Sequence, residues 1–280
     1  MKKQILLQAD IAKFEKHLRK EEKSRNTIQK YVRDVMAFYS FAGERNITKE
    51  LALEYKRSLE KQYTATSVNS MLAAVNALFA FLGCNACKLK TVKIQKLTYR
   101  PDEKDLAENE FNRLLSAAER KKKTRLCMIL ITILGMGVRV SELRYVTVEA
   151  VKSGKATVTC KGKTRTVFIV KKLQKKLLRY IREQGIKSGS VFITRTGRAM
   201  DRINIWREMK SICKEAHVNP SKVFPHNLRH LFAKVFYRAK KDIAKLADFL
   251  GHSNINTTKI YIMTTCNEYI NDLNDIELMI

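Results

Sequence analysis

The chain has 280 residues, 45% of them hydrophobic, with 55 Lys and Arg against 27 Asp and Glu, for a formal net charge of +28. That length accommodates two ordinary domains with separate cores. No run of 18 apolar residues occurs, so no membrane span is expected, and six cysteines are too sparse for a disulfide framework. The first hundred residues carry +11 and the remainder +17, so both halves are basic. That distribution points to a polyanion held by both halves, with nucleic acid as the first candidate. The start, MKKQILLQADIAKFEKHL, soon meets Asp10 and Glu15 and lacks a small-residue cleavage site, so no signal peptide is expected and a reducing, cytoplasmic location follows.

The first hundred residues read as helices only. Residues 8–21 and 48–61 predict two amphipathic helices. In TIQKYVRDVMAFYSFAG, Ile28, Tyr31, Val32, Val35, Phe38, Tyr39 and Ala42 share one helical face, and Gly43 ends the run. TATSVNSMLAAVNALFAFLG is a more apolar helix closed by Gly83. Four such helices can bury a core of their own. Cys84 and Cys87 in CNAC have metal-ligand spacing, but no second pair or nearby histidine completes four ligands, so no metal site is expected. Cys127 and Cys160 sit in apolar runs and read as buried thiols.

The helical pattern stops in KLKTVKIQKLTYRPDEKDL (88–106), which is basic and holds Pro101. The expected organisation is a helical domain over 1–97, a linker over 98–106 and a second domain over 107–280. In the second domain, helices are predicted at 107–119 and 123–136. KATVTCKGKTRTVFIV (155–170) predicts a small hairpin with Lys161-Gly162-Lys163 at its tip. Helices follow at 171–184 and 202–217, with VFIT as a short strand between them. The chain after residue 225 reads as four short helical pieces, broken at Gly251 and near Thr264. The fold class is therefore mostly α with a small antiparallel β-sheet in the second domain.

Four stretches place cationic or nucleophilic groups where a core would not want them. In GMGVRVSELRYV, Arg139 follows two glycines. Lys161 stands at the hairpin tip. In FPHNLRHLFAKVF, His226 and Arg229 are three apart and share a helix face. In LGHSNINTTKIYIMTT, His252 follows the helix-ending Gly251 and Tyr261 lies nine residues later. Each alone reads most simply as structural: a salt-bridging arginine, a solvated turn lysine, a surface histidine.

In this order, the four stretches together resemble the tyrosine recombinase, or phage-integrase, family, in its Xer-like form. GVRVSEL looks like the family's first arginine box, HNLRH like its second, and LGHSNINTTKIY like the third, which ends in the nucleophile. SRNTIQKYVRDVMAFYSF resembles the N-terminal core-binding, SAM-like domain, with Ser24, Thr27, Tyr31, Asp34 and Phe38 at the expected spacing. The resemblance covers nearly the whole chain. It implies a two-domain, C-shaped clamp on double-stranded DNA, formed by a core-binding domain and a catalytic domain. It also implies site-specific recombination through a 3′-phosphotyrosyl intermediate, with four protomers on two DNA sites. The catalytic set carried over is Arg139, Lys161, His226, Arg229, His252 and the nucleophile Tyr261, with no metal, ATP or other cofactor.

The chemistry of these side chains suits such roles. Two guanidiniums can grip the non-bridging oxygens of a phosphate in bidentate forks. His226 can donate to the phosphate or act as a base, since an unperturbed imidazole titrates near neutrality. A free tyrosine ionises near pH 10, so a tyrosine nucleophile needs a cationic pocket or a base. Lys161 is the expected acid for the leaving 5′-oxygen, and His252 is expected to hold the phosphate. His230 is expected to support rather than react, and Glu142 to be a buried hydrogen-bond partner of the first box. Tyr269, a rival nucleophile by its hydroxyl, stands at the wrong distance from His252. Met136, Leu231 and Lys234 depart from the family's pattern and bear on subtype and packing.

The last 19 residues hold Ile270, Leu273 and Ile276 at helical spacing. This segment, 266–279, either packs on its own domain or docks into a neighbouring protomer. Two other readings use the same fold: a DNA-binding relative that has lost catalysis, against which all six positions are filled, and a topoisomerase, against which LGHSNINTT argues. No arm-binding module is read before the first helix, which favours a recombinase acting on short core sites. The target sequence and the biological task, whether dimer resolution, integration and excision, or inversion, are not legible.

Overall fold

The computed structural model describes residues 5–94, 105–160 and 162–262, without the side chains of Cys160 and Lys163. The chain divides into two compact units, Met1–Lys96 and Leu97–Ile280.

The first unit is built from α1 (Gln8–Lys20), α2 (Arg25–Ala42), α3 (Lys49–Gln62) and α4 (Ala65–Phe81). The Ser24 and Thr48 side chains accept from backbone N–H groups of α2 and α3, supplying the partners that the first helical turn lacks. Ile28, Val35, Phe38 and Ala42 are buried on the predicted face of α2. Phe38 meets Tyr55 and Phe79 edge-on at 5.1 and 5.4 Å, the geometry that aromatic quadrupoles favour. Asp34, on the same helix, is buried and held by Lys30 at 2.6 Å and Arg33 at 2.9 Å. Cys87 closes a short 3₁₀ turn and packs in this core, where burial pushes its thiol pKa up.

The segment after Cys87 is tied to the first unit. Asn76 exchanges two hydrogen bonds of 2.8 Å with the backbone of Leu89. Asn69 does the same with Val92, at 2.9 and 2.7 Å. The two asparagine amides, about two turns apart on one face of α4, stand in for a neighbouring strand. On the other side of residues 95–104, Leu106 is buried in the core of the second unit and Asp105 pairs with Lys234 at 2.9 Å.

The second unit is mostly helical. α5 (Glu108–Arg120) and α6 (Thr124–Met136) lead to a 3₁₀ helix (Val140–Tyr145) and α7 (Val148–Ser153). A two-stranded antiparallel sheet follows, β1 (Lys155–Cys160) with β2 (Lys163–Phe168). Then come α8 (Lys171–Glu183), α9 (Arg202–Lys210), α10 (Pro225–Lys240), α11 (Ile243–Leu250) and α12 (Ile255–Ile262). The very apolar α6 is buried at seven of its thirteen positions, so it forms the axis of the unit's core. Met136 and Leu231, two of the departures noted above, are core residues.

Two expectations are corrected. VFIT is not a strand: it makes only an isolated bridge, Ile193 to Ala199, because Thr194 N–H donates to Arg198 O and turns the chain back at once. The helix expected over 202–217 ends at Lys210. Beyond it, Arg113 of α5 takes the carbonyls of Ala216 and His217, and Lys123 donates to Ser211 Oγ at 2.6 Å. The backbone there continues in irregular turns, with these long-range donors added to its local hydrogen bonds. The fourth predicted piece of the tail lies outside the described residues. Among the described residues, no helix is long and apolar enough to cross a membrane.

Candidate active site

The first box folds around Glu142. Arg139 precedes the 3₁₀ helix in extended conformation, and its N–H donates to Glu142 Oε2 at 2.8 Å. Its guanidinium returns to the same carboxylate through Oε1 at 2.9 Å. Glu142 is 1% exposed. Its Oε2 also accepts from Arg165 at 2.9 Å and lies 3.9 Å from Arg229 Nη1. One carboxylate thus serves three guanidiniums, which leaves a surplus of two positive charges. A buried carboxylate is tolerable only with such partners, and a cluster of cations only with such a counter-charge.

Arg229 comes from α10, which starts at Pro225, a residue suited to the first helical position because it has no N–H to leave unpaired. Although 1% exposed, Arg229 keeps its charge by capping two other helices. Nη1 donates to Gly137 O, at the end of α6, and Nη2 to Leu250 O, at the end of α11, both at 2.6 Å. Helix C-termini carry unpaired carbonyls and partial negative charge, so they suit a buried cation. Burial, then the neighbouring Arg139, pushes the Arg229 pKa down to about 10, and the group remains cationic at neutral pH. Gly137 is required here: its φ is +58°, and a Cβ would fall inside the Phe232 ring.

The third box turns at Gly251 (φ +64°), where a Cβ would overlap the Arg165 side chain. His252 follows, with Nε2 3.0 Å from Arg229 Nη2 and Nδ1 2.9 Å from Thr258 Oγ1. Burial, then Arg229, Arg139 and Arg165, push the His252 pKa down to about 4, so the ring is neutral at pH 7. α12 carries Thr258, fully buried, and three residues on Tyr261, 6% exposed. The Tyr261 hydroxyl is 3.4 Å from His226 Nε2. Its ring stacks on His230, with centroids 4.0 Å apart and planes 16° apart, and Arg229 lies over it at 6.0 Å. His226 and His252 approach the same ring, with centroids at 5.3 and 5.0 Å.

Of the six sequence-predicted residues, the structure therefore gathers Arg139, His226, Arg229, His252 and Tyr261. Lys161, Tyr269 and the segment 266–279 lie outside the described residues. His230 touches the phenol ring face to face. Two members of the cluster were missed. Arg165 stands opposite Val158 in the hairpin and next to the inward-facing pair Ala156 and Val167, so it is a cation on the buried side of an alternating strand. That misplacement is a signal the alternation contains. Thr258 has no such signal: a threonine one turn before a tyrosine is ordinary in sequence.

The chain matches the phage integrase family over residues 104–268 and the phage integrase N-terminal SAM-like domain over residues 11–84. Tyrosine recombinase XerA of Pyrococcus furiosus is 30% identical over 275 residues, covering 95% of this chain and 93% of that protein. Tyrosine recombinase XerA of Thermococcus kodakarensis is 32% identical, with 91% and 90% covered. Among solved structures, a XerA recombinase superposes with TM-score 0.55 at 25% identity, covering 97% of this chain and 99% of that one. XerH bound to its difH substrate superposes with TM-score 0.71 at 18% identity, covering 96% and 85%, a likeness of fold. With a matching SAM-like domain, a matching catalytic region and relatives alike over almost their whole length, the chain belongs to the phage integrase family of tyrosine recombinases.

Proposed function

We propose that this chain is a site-specific DNA recombinase in which Tyr261 attacks a backbone phosphate of double-stranded DNA. The observation that carries the residue assignment is the Tyr261 hydroxyl at 3.4 Å from His226 Nε2, beside the buried Arg229. The hydroxyl proton passes to His226, the phenolate oxygen bonds to phosphorus, and the bond from phosphorus to the 5′-oxygen breaks. Lys161 supplies the proton that this oxygen takes up. The products are a 3′-phosphotyrosyl link and a 5′-hydroxyl, and attack by a 5′-hydroxyl of another strand reverses the step. Negative charge on the phosphoryl oxygens grows as the phenolate bonds to phosphorus, by at most about one unit. The two surplus positive charges of the Arg139, Arg165, Arg229 and Glu142 cluster are already in place to meet it. Arg229 Nε is buried without a hydrogen-bond partner among the described residues, a donor left over after the helix ends are capped. The reaction as written uses the protein's own cations and requires no cofactor.

On this reading, residues 1–97 form a core-binding domain and residues 107–280 the catalytic domain, both holding DNA in the cytoplasm. Four protomers assemble on two sites, with the segment 266–279 reaching a neighbour. The test is a nicked duplex bearing a site selected from randomised DNA by binding. Wild type should form a metal-independent covalent complex with it, and Tyr261→Phe none. An adduct that persists in Tyr261→Phe refutes the nucleophile. Truncation after Thr265 that spares both strand exchange and cooperative binding refutes the role of the tail.

A further inference from the structure

The His252 side chain lies between a group that can only donate and a group that can do either. A guanidinium has five N–H donors and no acceptor, so at 3.0 Å from Arg229 Nη2 the His252 Nε2 must present its lone pair. The neutral ring then carries its proton on Nδ1 and donates it to Thr258 Oγ1 at 2.9 Å. In this state His252 has no proton to offer a phosphate. To hold one, it must carry the proton on Nε2, and Nδ1 must become an acceptor. Most side chains that satisfy an Nδ1–H, such as a carboxylate or a carbonyl, would oppose that change because they only accept. A threonine hydroxyl does not: it rotates and donates. Its alternative donor target is the carbonyl one turn back in the helix, the usual partner of helical threonine. Thr258 is fully buried, so its hydroxyl is held beside the half-buried His252 ring.

We propose that Thr258 is a positioning residue that lets His252 exchange tautomers when a phosphate enters. The incoming oxygen takes the Arg229 Nη2 hydrogen bond from His252. The ring proton is relocated from Nδ1 to Nε2 by exchange with water, with no net gain or loss, and is donated to the phosphate. The Thr258 hydroxyl reverses and donates to Nδ1. Because Thr258 and Tyr261 are three apart on α12, the same bond also records whether the tyrosine helix is seated. A phosphate would therefore be gripped by His252 most firmly when Tyr261 is in place. This inference rests on the recombinase reading for the identity of the phosphate, but its geometry does not.

Two measurements test it on the full chain. In the first, nitrogen-15 NMR of the histidines reads the tautomer with and without inorganic phosphate. The free protein should show a protonated Nδ1 and an unprotonated Nε2 at His252, and phosphate should reverse the pair. A protonated Nε2 in the free protein, or no reversal at saturating phosphate, overturns the proposal. In the second, covalent-complex formation on the nicked duplex is compared among variants. Thr258→Val keeps the shape and removes the hydroxyl. It should slow cleavage about 10- to 100-fold, the scale seen when the orienting partner of a metal-bound histidine is removed. DNA affinity should stay within about twofold of wild type, because the many other phosphate contacts remain. Thr258→Ser should restore the rate. In a His252→Gln background, followed to long times, Thr258→Val should add no further loss. An equal loss there marks Thr258 as merely structural and overturns the proposal, as does wild-type cleavage by Thr258→Val. If wild type itself forms no adduct, the recombinase reading fails and the NMR measurement still decides the role of Thr258.

Discussion

Replacing Glu142 by Gln removes the single negative charge shared by Arg139, Arg165 and Arg229 while keeping the side chain's size. The carboxylate is 2% exposed by side chain, and its partners are 34%, 17% and 1% exposed in that order. Arg139 can turn to water when released, so its share of the loss is small. Arg165 and Arg229 cannot, and removing one partner of a buried ion pair costs about 3–5 kcal/mol. The low end, about 3 kcal/mol, is the expected loss. For a unit of this size, about 2–4 °C of melting temperature accompanies each kcal/mol, so the midpoint should fall roughly 6–12 °C. Trp206, the sole tryptophan, lies in this unit and reports its unfolding by fluorescence. Sulfate should recover more stability in Glu142→Gln than in wild type, because the unpaired guanidiniums then bind the anion. A fall under about 2 °C, or equal recovery in the two proteins, would refute the shared-carboxylate account.

Three further outcomes are expected. Gly251→Ala combines a left-handed backbone with overlap on Arg165, so it should cost at least about 1–2 kcal/mol and slow cleavage; thermal melts and the nicked-duplex assay read both. His252 is held neutral down to about pH 4 in the fold, against an ordinary value near 6.5. Between those values the unfolded chain binds more protons, so stability should fall as pH drops from 6.5 towards 4. Melting curves of wild type and His252→Gln that run parallel across that range would contradict this. Asn76→Ala removes both hydrogen bonds to Leu89, and its amide should exchange with deuterium faster than in wild type while that of Val92, held by Asn69, changes less.

The helices of the first unit were legible because their signal is local. The stripe from Ile28 to Ala42 repeats every three or four residues, and a helix with such a stripe has one face to bury whatever it packs against. The hairpin over 155–170 was legible for the same reason, from alternation around a glycine turn. VFIT was misread because Thr194 N–H turns the chain back onto Arg198 O at once, and the end of α9 because the turns beyond Lys210 are also held by distant side chains. Arg113, 103 residues earlier, takes the Ala216 carbonyl, and Lys123, 88 residues earlier, the Ser211 hydroxyl.

The site divides along the same line. Arg139, His226, Arg229, His252 and Tyr261 were legible through the resemblance of short boxes to those of the family, a signal carried within contiguous stretches of sequence. Sequence alone could not say what makes so many cations tolerable together. That answer lies in contacts between distant segments: Glu142 shared by three arginines, Arg229 seated on the ends of α6 and α11, Arg165 crossing Gly251, and Thr258 turned towards His252. The sequence by itself determined which residue types the short boxes offer. Only the tertiary structure decided how their charge is balanced and which way their protons point, since both depend on neighbours that packing, not chain order, brings within hydrogen-bond reach.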